Sequence, residues 1–271
     1  MSHSVEYQQQ GRIVHLLLNR PDTRNALSAD VIEGLVSGLN RANDDSGVSC
    51  VVISGAGKGF SSGGNLDEIK AMTTTQNMSE PELKAWYTDG IQQIPLTIHR
   101  VDVVTIAAVH GHAIGAGCDL AAMCDLRIAA DTASFAESFL RVGIIPGDGG
   151  AWFLPRVVGM ARAREMLFTA NPVKADKALH WGLVSEVVSE EGLLPAAMAA
   201  AENIANLPPQ ALRKAKQLIR KSETLSLSES LDMAATMQAQ LQQLDDHHEA
   251  IDAIREKRQP VFTGNREPAP E

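Results

Sequence analysis

The sequence has little that would tie it to a metal, a disulfide framework, a membrane or a nucleic acid. Its 271 residues hold three cysteines, Cys50, Cys118 and Cys124, and no CxxC pair. All three lie in or beside apolar segments, so they read as reduced core thiols, which fits a cytoplasmic protein. No apolar run approaches the ~18 residues that would span a bilayer. The first ten residues carry neither a basic nor an apolar signal-peptide region. The formal net charge is −9, which argues against a phosphate backbone as a general partner. Neither glycine-rich stretch, at 59–66 or at 111–119, carries an obvious Ser, Cys or Lys nucleophile with its base beside it. Gly55-Ala-Gly-Lys-Gly59 follows a strand but lacks the Lys-Ser/Thr pair of a phosphate loop and the GxGxxG of a dinucleotide fold. His110, His112, His247 and His248 do not combine with carboxylates in a metal-ligand spacing, so no metal is expected.

Two glycine-rich stretches stand out, each after a β-type run. Gly59-Phe-Ser-Ser-Gly63-Gly64-Asn65-Leu66 follows Cys50–Ile53, and Gly111-His-Ala-Ile-Gly115-Ala116-Gly117-Cys118-Asp119 follows Val103–Val109. Such segments expose backbone N–H groups unobstructed by side chains. Two of these donors aimed at one carbonyl oxygen would make an oxyanion hole. A helix start is expected near Ala116, where the positive dipole end favours an anion. Asp119 falls in its first turn, either to balance that dipole or to act as an acid or base.

The remaining pattern is layered α/β. Strands are expected at 12–19, 50–54, 101–109 and 126–130, and a helix from Ser28 with Val31, Ile32, Leu35 and Leu39 inward. Residues 70–80 read as a mobile loop, followed by a helix over about 81–94. From Leu193 on, every pattern is helical. Ser226 and Glu229 form a capping box for a helix of ~30 residues, about 45 Å long. Its stripe of Leu227, Leu231, Ala234, Met237, Leu241, Leu244, Ile251 and Ile254 either reaches another subunit or folds back on its own domain. The expected division is a core at 1–192 and a helical region at 193–271. The chain is long enough for a sizeable core, and apolar and charged residues make up 44% and 21% of it.

At these residues the chain resembles the enoyl-CoA hydratase/isomerase (crotonase) superfamily. The similarity runs through Asn19-Arg-Pro21, Asn25-Ala-Leu27, Phe60–Leu66, Gly111–Asp125, Val142–Gly150, Ala178–Val184 and Glu256–Phe262. It implies a spiral of ββα units with a C-terminal helical trimerisation region, and a homotrimer or dimer of trimers. It implies an acyl-CoA thioester as substrate, with coenzyme A part of that substrate and no permanently bound cofactor. The oxyanion donors would be the N–H groups of Gly64 and Ala116. The CoA site would involve Arg24, Ala26, Ser62, Asn65 and Leu66, with Lys257 and Phe262 reaching it from a neighbouring subunit.

The resemblance also raises a problem. Typical hydratases of the family use two glutamates, and these positions hold Asp119 and Phe139 here. A phenyl ring carries no proton. Asp148 sits near the place where some dienoyl-CoA isomerases and a dehalogenase of the superfamily carry a working aspartate, and is favoured as the replacement. Glu137 is the alternative, if the strand bends to turn it inward. A carboxylate beside Phe139 and Trp152 would be raised in pKa by desolvation. The expected activity is hydration of an enoyl-CoA or a shift of its double bond. A hydrolase, a C–C lyase, a dehalogenase with Asp148 as nucleophile and a non-catalytic acyl-CoA binder remain alternatives on the same scaffold. The stretch at 66–95 is expected to shape the acyl pocket.

Overall fold

The computed structural model describes residues 4–264. The core is a six-stranded sheet in the order β1-β2-β3-β4-β6-β9. Its strands are β1 (Val5–Gln10), β2 (Ile13–Leu18), β3 (Cys50–Gly55), β4 (Val104–Val109), β6 (Leu126–Ala130) and β9 (Glu186–Val188). Only the β1–β2 hairpin is antiparallel; β2 to β9 run parallel. A second sheet, in the order β5-β7-β8, joins β5 (His112–Ile114), β7 (Ser134–Ala136) and β8 (Val173–Lys174).

Parallel strands covered on both faces read as continuous apolar runs, and β3 and β4 do. Alternation along the strand sorts their side chains. Val14, Leu16, Val51, Ile53, Ala107 and Val109 face the main core with α1 (Ala29–Asp44). Cys50, Val52, Ile106 and Ala108 face the opposite layer, where α9 (Leu193–Ala205) packs Leu193, Ala197 and Ala201 against them. The three cysteines are free and buried.

The other helices in the first two thirds are α2 (Leu66–Thr74), α3 (Glu80–Trp86), α4 (Gln93–Arg100), α5 (Ala116–Met123), α6 (Gly150–Val158), α7 (Met160–Thr169) and α8 (Ala175–Trp181). The expected loop at 70–80 is half helix, because Asn65 caps α2 by accepting from the amides of Asp67 and Glu68. The expected helix at 81–94 is broken. A wide π-type turn, Tyr87–Ile91, separates α3 from α4, with Gly90 in non-helical backbone geometry.

In the C-terminal third, α10 (Pro209–Ser222) lays arginines on the carbonyl ends of two core helices. Arg213 donates to the Asn43 and Asp45 carbonyls, and Arg220 to those of His99 and Arg100. The single long helix expected after Ser226 is two helices, α11 (Leu227–Leu241) and α12 (Asp245–Glu256). A turn at 242–244 divides them. The acidic pair Asp245-Asp246 opens the second helix, where its dipole favours negative charge, and the buried Asp246 carboxylate also accepts from the Thr263 and Gly264 amides. The capping box at Ser226 and Glu229 is present. No helix among the described residues is long and apolar enough to cross a membrane.

Candidate active site

The two glycine loops leave the carboxyl ends of β3 and β4, the edge where open α/β sheets gather ligands. They are laced to each other through the backbone. Phe60 N–H donates to the His110 carbonyl (2.9 Å), Ser61 N–H to that of His112 (3.0 Å), and Ile114 N–H returns a bond to Ser61 (3.0 Å). Asn25, buried in left-handed backbone geometry, holds the first loop from below. Its amide donates to the Ala56 and Gly59 carbonyls, and its oxygen accepts from Arg20 N–H. The neighbouring Arg24 carbonyl accepts from Ser62 N–H, and Leu27 N–H donates to Gly63. The Asn-Arg-Pro and Asn-Ala-Leu segments therefore serve as the bracket of the first loop.

Above this lacing lies a cavity of about 250 Å³. Gly64 and Ala116 both line it. Neither amide makes a hydrogen bond among the described residues. Ala116 is the first residue of α5, so its N–H has no partner within the helix. Gly115 precedes it at φ 52° and ψ −122°, a conformation open to glycine, and this turns the helix start toward the cavity. Two free amides on one wall can receive an oxyanion.

The rest of the lining is mostly apolar. Leu66, Ile69, Trp86, Tyr87 and Ile91 come from the stretch at 66–95, and Phe139, Val142 and Ile145 also line the cavity. One carboxylate lines the cavity, that of Asp148. It is 4% exposed, so it is not a free turn aspartate between glycines. Asp119 and Glu137 are fully buried and lie outside the lining. Glu137 follows β7 directly and is turned inward. Phe139 starts a short 3-10 turn and presents its ring to the cavity near Gly115. Trp152 is not in this cavity. It lines a neighbouring hollow that Asp148 also borders, with Arg156 over its ring and His99 edge-on to it, and is 38% exposed.

Asp148, Asp119 and Glu137 form one interacting group. Both oxygens of Asp119 and Glu137, and one of Asp148, are buried without a donor. Burial pushes the Asp119 carboxyl well above its usual range, and the charges of Asp148 and Glu137 push it further. Burial raises Glu137 to about 7 and raises Asp148. The Tyr87 phenol is raised by burial and then by Asp148 across the cavity. The sequence flagged each acid singly, but their clustering has no local signal, because α5, the end of β7 and the loop before α6 meet only in the folded chain.

The residues expected at a CoA site divide into two places. Arg24 is exposed, Ala26 is buried, and Ser62 and Leu66 line the cavity beside them. Asn65 is the cap of α2. Lys257 ends α12, exposed, and Phe262 is half-buried in the tail that docks on Asp246. That tail packs near Pro209 and Ser46, before the start of β3 and so at the opposite sheet edge from Arg24. Within one chain the two groups do not meet. No group of three or more His, Cys, Asp or Glu residues among those described is arranged to hold a metal.

A spiral α/β core with two unpaired amides and a buried acid around one apolar cavity is a scaffold for oxyanion chemistry on a carbonyl substrate. A family model described as enoyl-CoA hydratase/isomerase matches residues 8–265. The chain is 36% identical over 264 residues to the 2,3-dehydroadipyl-CoA hydratase of Escherichia coli K12, covering 97% of this chain and 100% of that protein. It is 33% identical over 252 residues to the 1,2-epoxyphenylacetyl-CoA isomerase of the same organism, covering 93% and 95%. The crystal structure of a putative enoyl-CoA hydratase from Streptomyces coelicolor A3(2) superposes with a TM-score of 0.90 at 33% identity, covering 97% and 95%. The chain belongs to the enoyl-CoA hydratase/isomerase family.

Proposed function

We propose that the protein relocates a proton on an acyl-CoA thioester and thereby shifts a carbon–carbon double bond. The observation that carries this is that Asp148 is the one carboxylate lining the cavity that Gly64 and Ala116 also line. The thioester oxygen lies between the two amides, which stabilise the negative charge of the enolate as it forms. Asp148 takes the proton from one carbon and returns it to another. Its raised pKa, caused by burial, suits a group that must both accept and release a proton near neutral pH.

Hydration is the second reading, favoured by the 36% identity to a 2,3-dehydroadipyl-CoA hydratase. It requires water to be held and a proton delivered, and Asp148 alone would have to serve both steps. An isomerisation adds no water and can be served by a single working acid, and one relative is named as an isomerase of a CoA ester.

The CoA moiety is assigned to Arg24, Ala26, Ser62, Asn65 and Leu66, beside the mouth of the cavity, with Lys257 and Phe262 contributed by a neighbouring subunit. The helical region 193–271 is assigned to assembly as a trimer or pair of trimers. Leu227, Leu231 and Ile254 are 77%, 60% and 78% exposed in one chain, an apolar surface that a partner would cover. Coenzyme A enters as part of the substrate, and three buried free thiols accord with a cytoplasmic location.

The test is a panel of enoyl-, dienoyl- and hydroxyacyl-CoA esters, with products identified by mass spectrometry. An unchanged mass with a moved double bond is expected for at least one ester. Gain of water from every active ester would favour hydration, and binding of all with turnover of none would leave a non-catalytic binder.

A further inference from the structure

The three carboxyls are not equivalent. Asp148 faces the cavity, while Asp119 and Glu137 lie behind it with no exposure. Asp119 is the middle member: it interacts with both Asp148 and Glu137, and the Cys118 thiol lies beside Glu137. The Asp119 carboxyl lies so close to Gly150, the first residue of α6, that a side chain there would collide with it. No Lys, Arg or His bonds to any of the three among the described residues, and no α6 amide donates to Asp119. The groups facing the cluster are Cys118 on α5, Tyr87 across the cavity and the amino end of α6. Ionised carboxylates only accept hydrogen bonds. Three of them packed together with no donor would be prohibitive to bury, so the cluster is built to keep protons.

We propose that Asp119 and Glu137 form a buried acid pair behind Asp148 whose hydrogen bond switches, so that the proton Asp148 takes from the substrate stays on Asp148 until it is returned to the same molecule. This rests on the proton-relocation reading above. Before reaction, neutral Asp119 donates its hydrogen bond to ionised Asp148. Asp148 then takes a proton: the substrate C–H bond breaks, an O–H bond forms, and the electron pair passes into the thioester enolate. With Asp148 neutral, Asp119 turns its hydrogen bond to Glu137. Return of the proton to the second carbon forms a new C–H bond with the enolate electrons and restores the first arrangement. No water and no oxidant enters. Glu137 and Asp119 do not touch the substrate; they are positioning residues for the proton on Asp148.

Infrared spectroscopy of the substrate-free enzyme tests this apart from its activity. At pH 8 exposed Asp and Glu are ionised, so a neutral-carboxyl band reports buried acids. The wild type is expected to show that band, to lose it in Asp119→Asn, and to shift it in D2O at least tenfold more slowly than exposed amides exchange. No band, or immediate exchange, overturns the proposal even if the enzyme is an active isomerase. If Asp119→Asn does not fold, the wild-type band and its exchange still decide. With an active ester in D2O, the wild type is expected to place deuterium in fewer than half of its early product molecules. Glu137→Leu is expected to keep KM and raise the deuterated fraction of early product above one half, because the acceptor to which Asp119 turns its hydrogen bond is gone. Full deuteration by the wild type, or an unchanged deuterium fraction in Glu137→Leu, also overturns it.

Discussion

Gly117 rests its Cα on the carbonyl of Ser61: a Cβ at residue 117 would lie 2.5 Å from that oxygen. This contact joins the two glycine loops at the point where their amides reach the cavity. Gly63, at φ 81°, makes the reverse approach: a Cβ there would meet the Ile114 carbonyl first and the Ala116 nitrogen next, at 3.1 Å. Gly117→Ala is therefore expected to push the loops apart. Overpacking of this kind costs about 1–3 kcal/mol, and displacing one oxyanion donor costs ~10²–10³ in kcat. Thermal melting and steady-state kinetics on an active ester check both. Wild-type kcat in a folded Gly117→Ala would separate loop spacing from catalysis.

Ala116→Pro removes one amide hydrogen at the first position of a helix, where proline is tolerated. A fall in kcat of ~10²–10³ is expected, with little change in the dissociation constant of a CoA ester whose carbonyl has been reduced. Equal losses in both would mean that the N–H serves ground-state binding alone.

The glycine loops were legible in the sequence because each is a local pattern: a strand, then residues without side chains, then a helix start. That Gly64 and Ala116 share a cavity wall follows from β3 and β4 being parallel neighbours, which alternating strands and helices already implied. The carboxyl cluster was only partly legible. Phe139 announced a missing acid, but whether Asp148 or Glu137 turned inward depended on the loops around β7 and α6, and both proved buried. The break at 242–244 leaves no mark in the apolar spacing, which continues across it; the Asp245-Asp246 pair at the start of the second helix is its one local sign. The strand β1 was overlooked because its sequence, Val5–Gln10, is polar on an edge and pairs only with β2.

Stability should decline as pH rises through neutrality. The Glu137 carboxyl moves from an ordinary 4.5 to about 7 in the folded chain. Between those values the native state binds more protons than the unfolded state, so unfolding free energy falls with pH. The contribution is full below pH 4.5 and is lost as pH passes 7. Asp119 and Asp148, also raised, act in the same direction. Denaturant melts from pH 5 to 8 should show this decline in the wild type and a shallower one in Glu137→Gln, which cannot ionise. A rise in wild-type stability over that range would contradict the buried, proton-keeping cluster.

The exposed stripe of α11 should govern assembly. Leu227→Asp with Leu231→Asp places two charges on an apolar surface that a partner is proposed to cover. Light scattering is expected to give a mass of three or six chains for the wild type and a smaller one for the double variant. A wild type that is monomeric at micromolar concentration would refute the assembly, and with it the contribution of Lys257 and Phe262 to a neighbour's site.

The most direct test of the whole account is turnover by Asp148→Asn. Asparagine keeps the size of the side chain and removes the proton-transfer group from the cavity wall. On any ester that the wild type converts, kcat is expected to fall at least ~100-fold, the scale of a lost general acid–base group, while the melting temperature holds or rises because a buried charge is gone. Near-wild-type turnover by a folded Asp148→Asn would contradict the assignment.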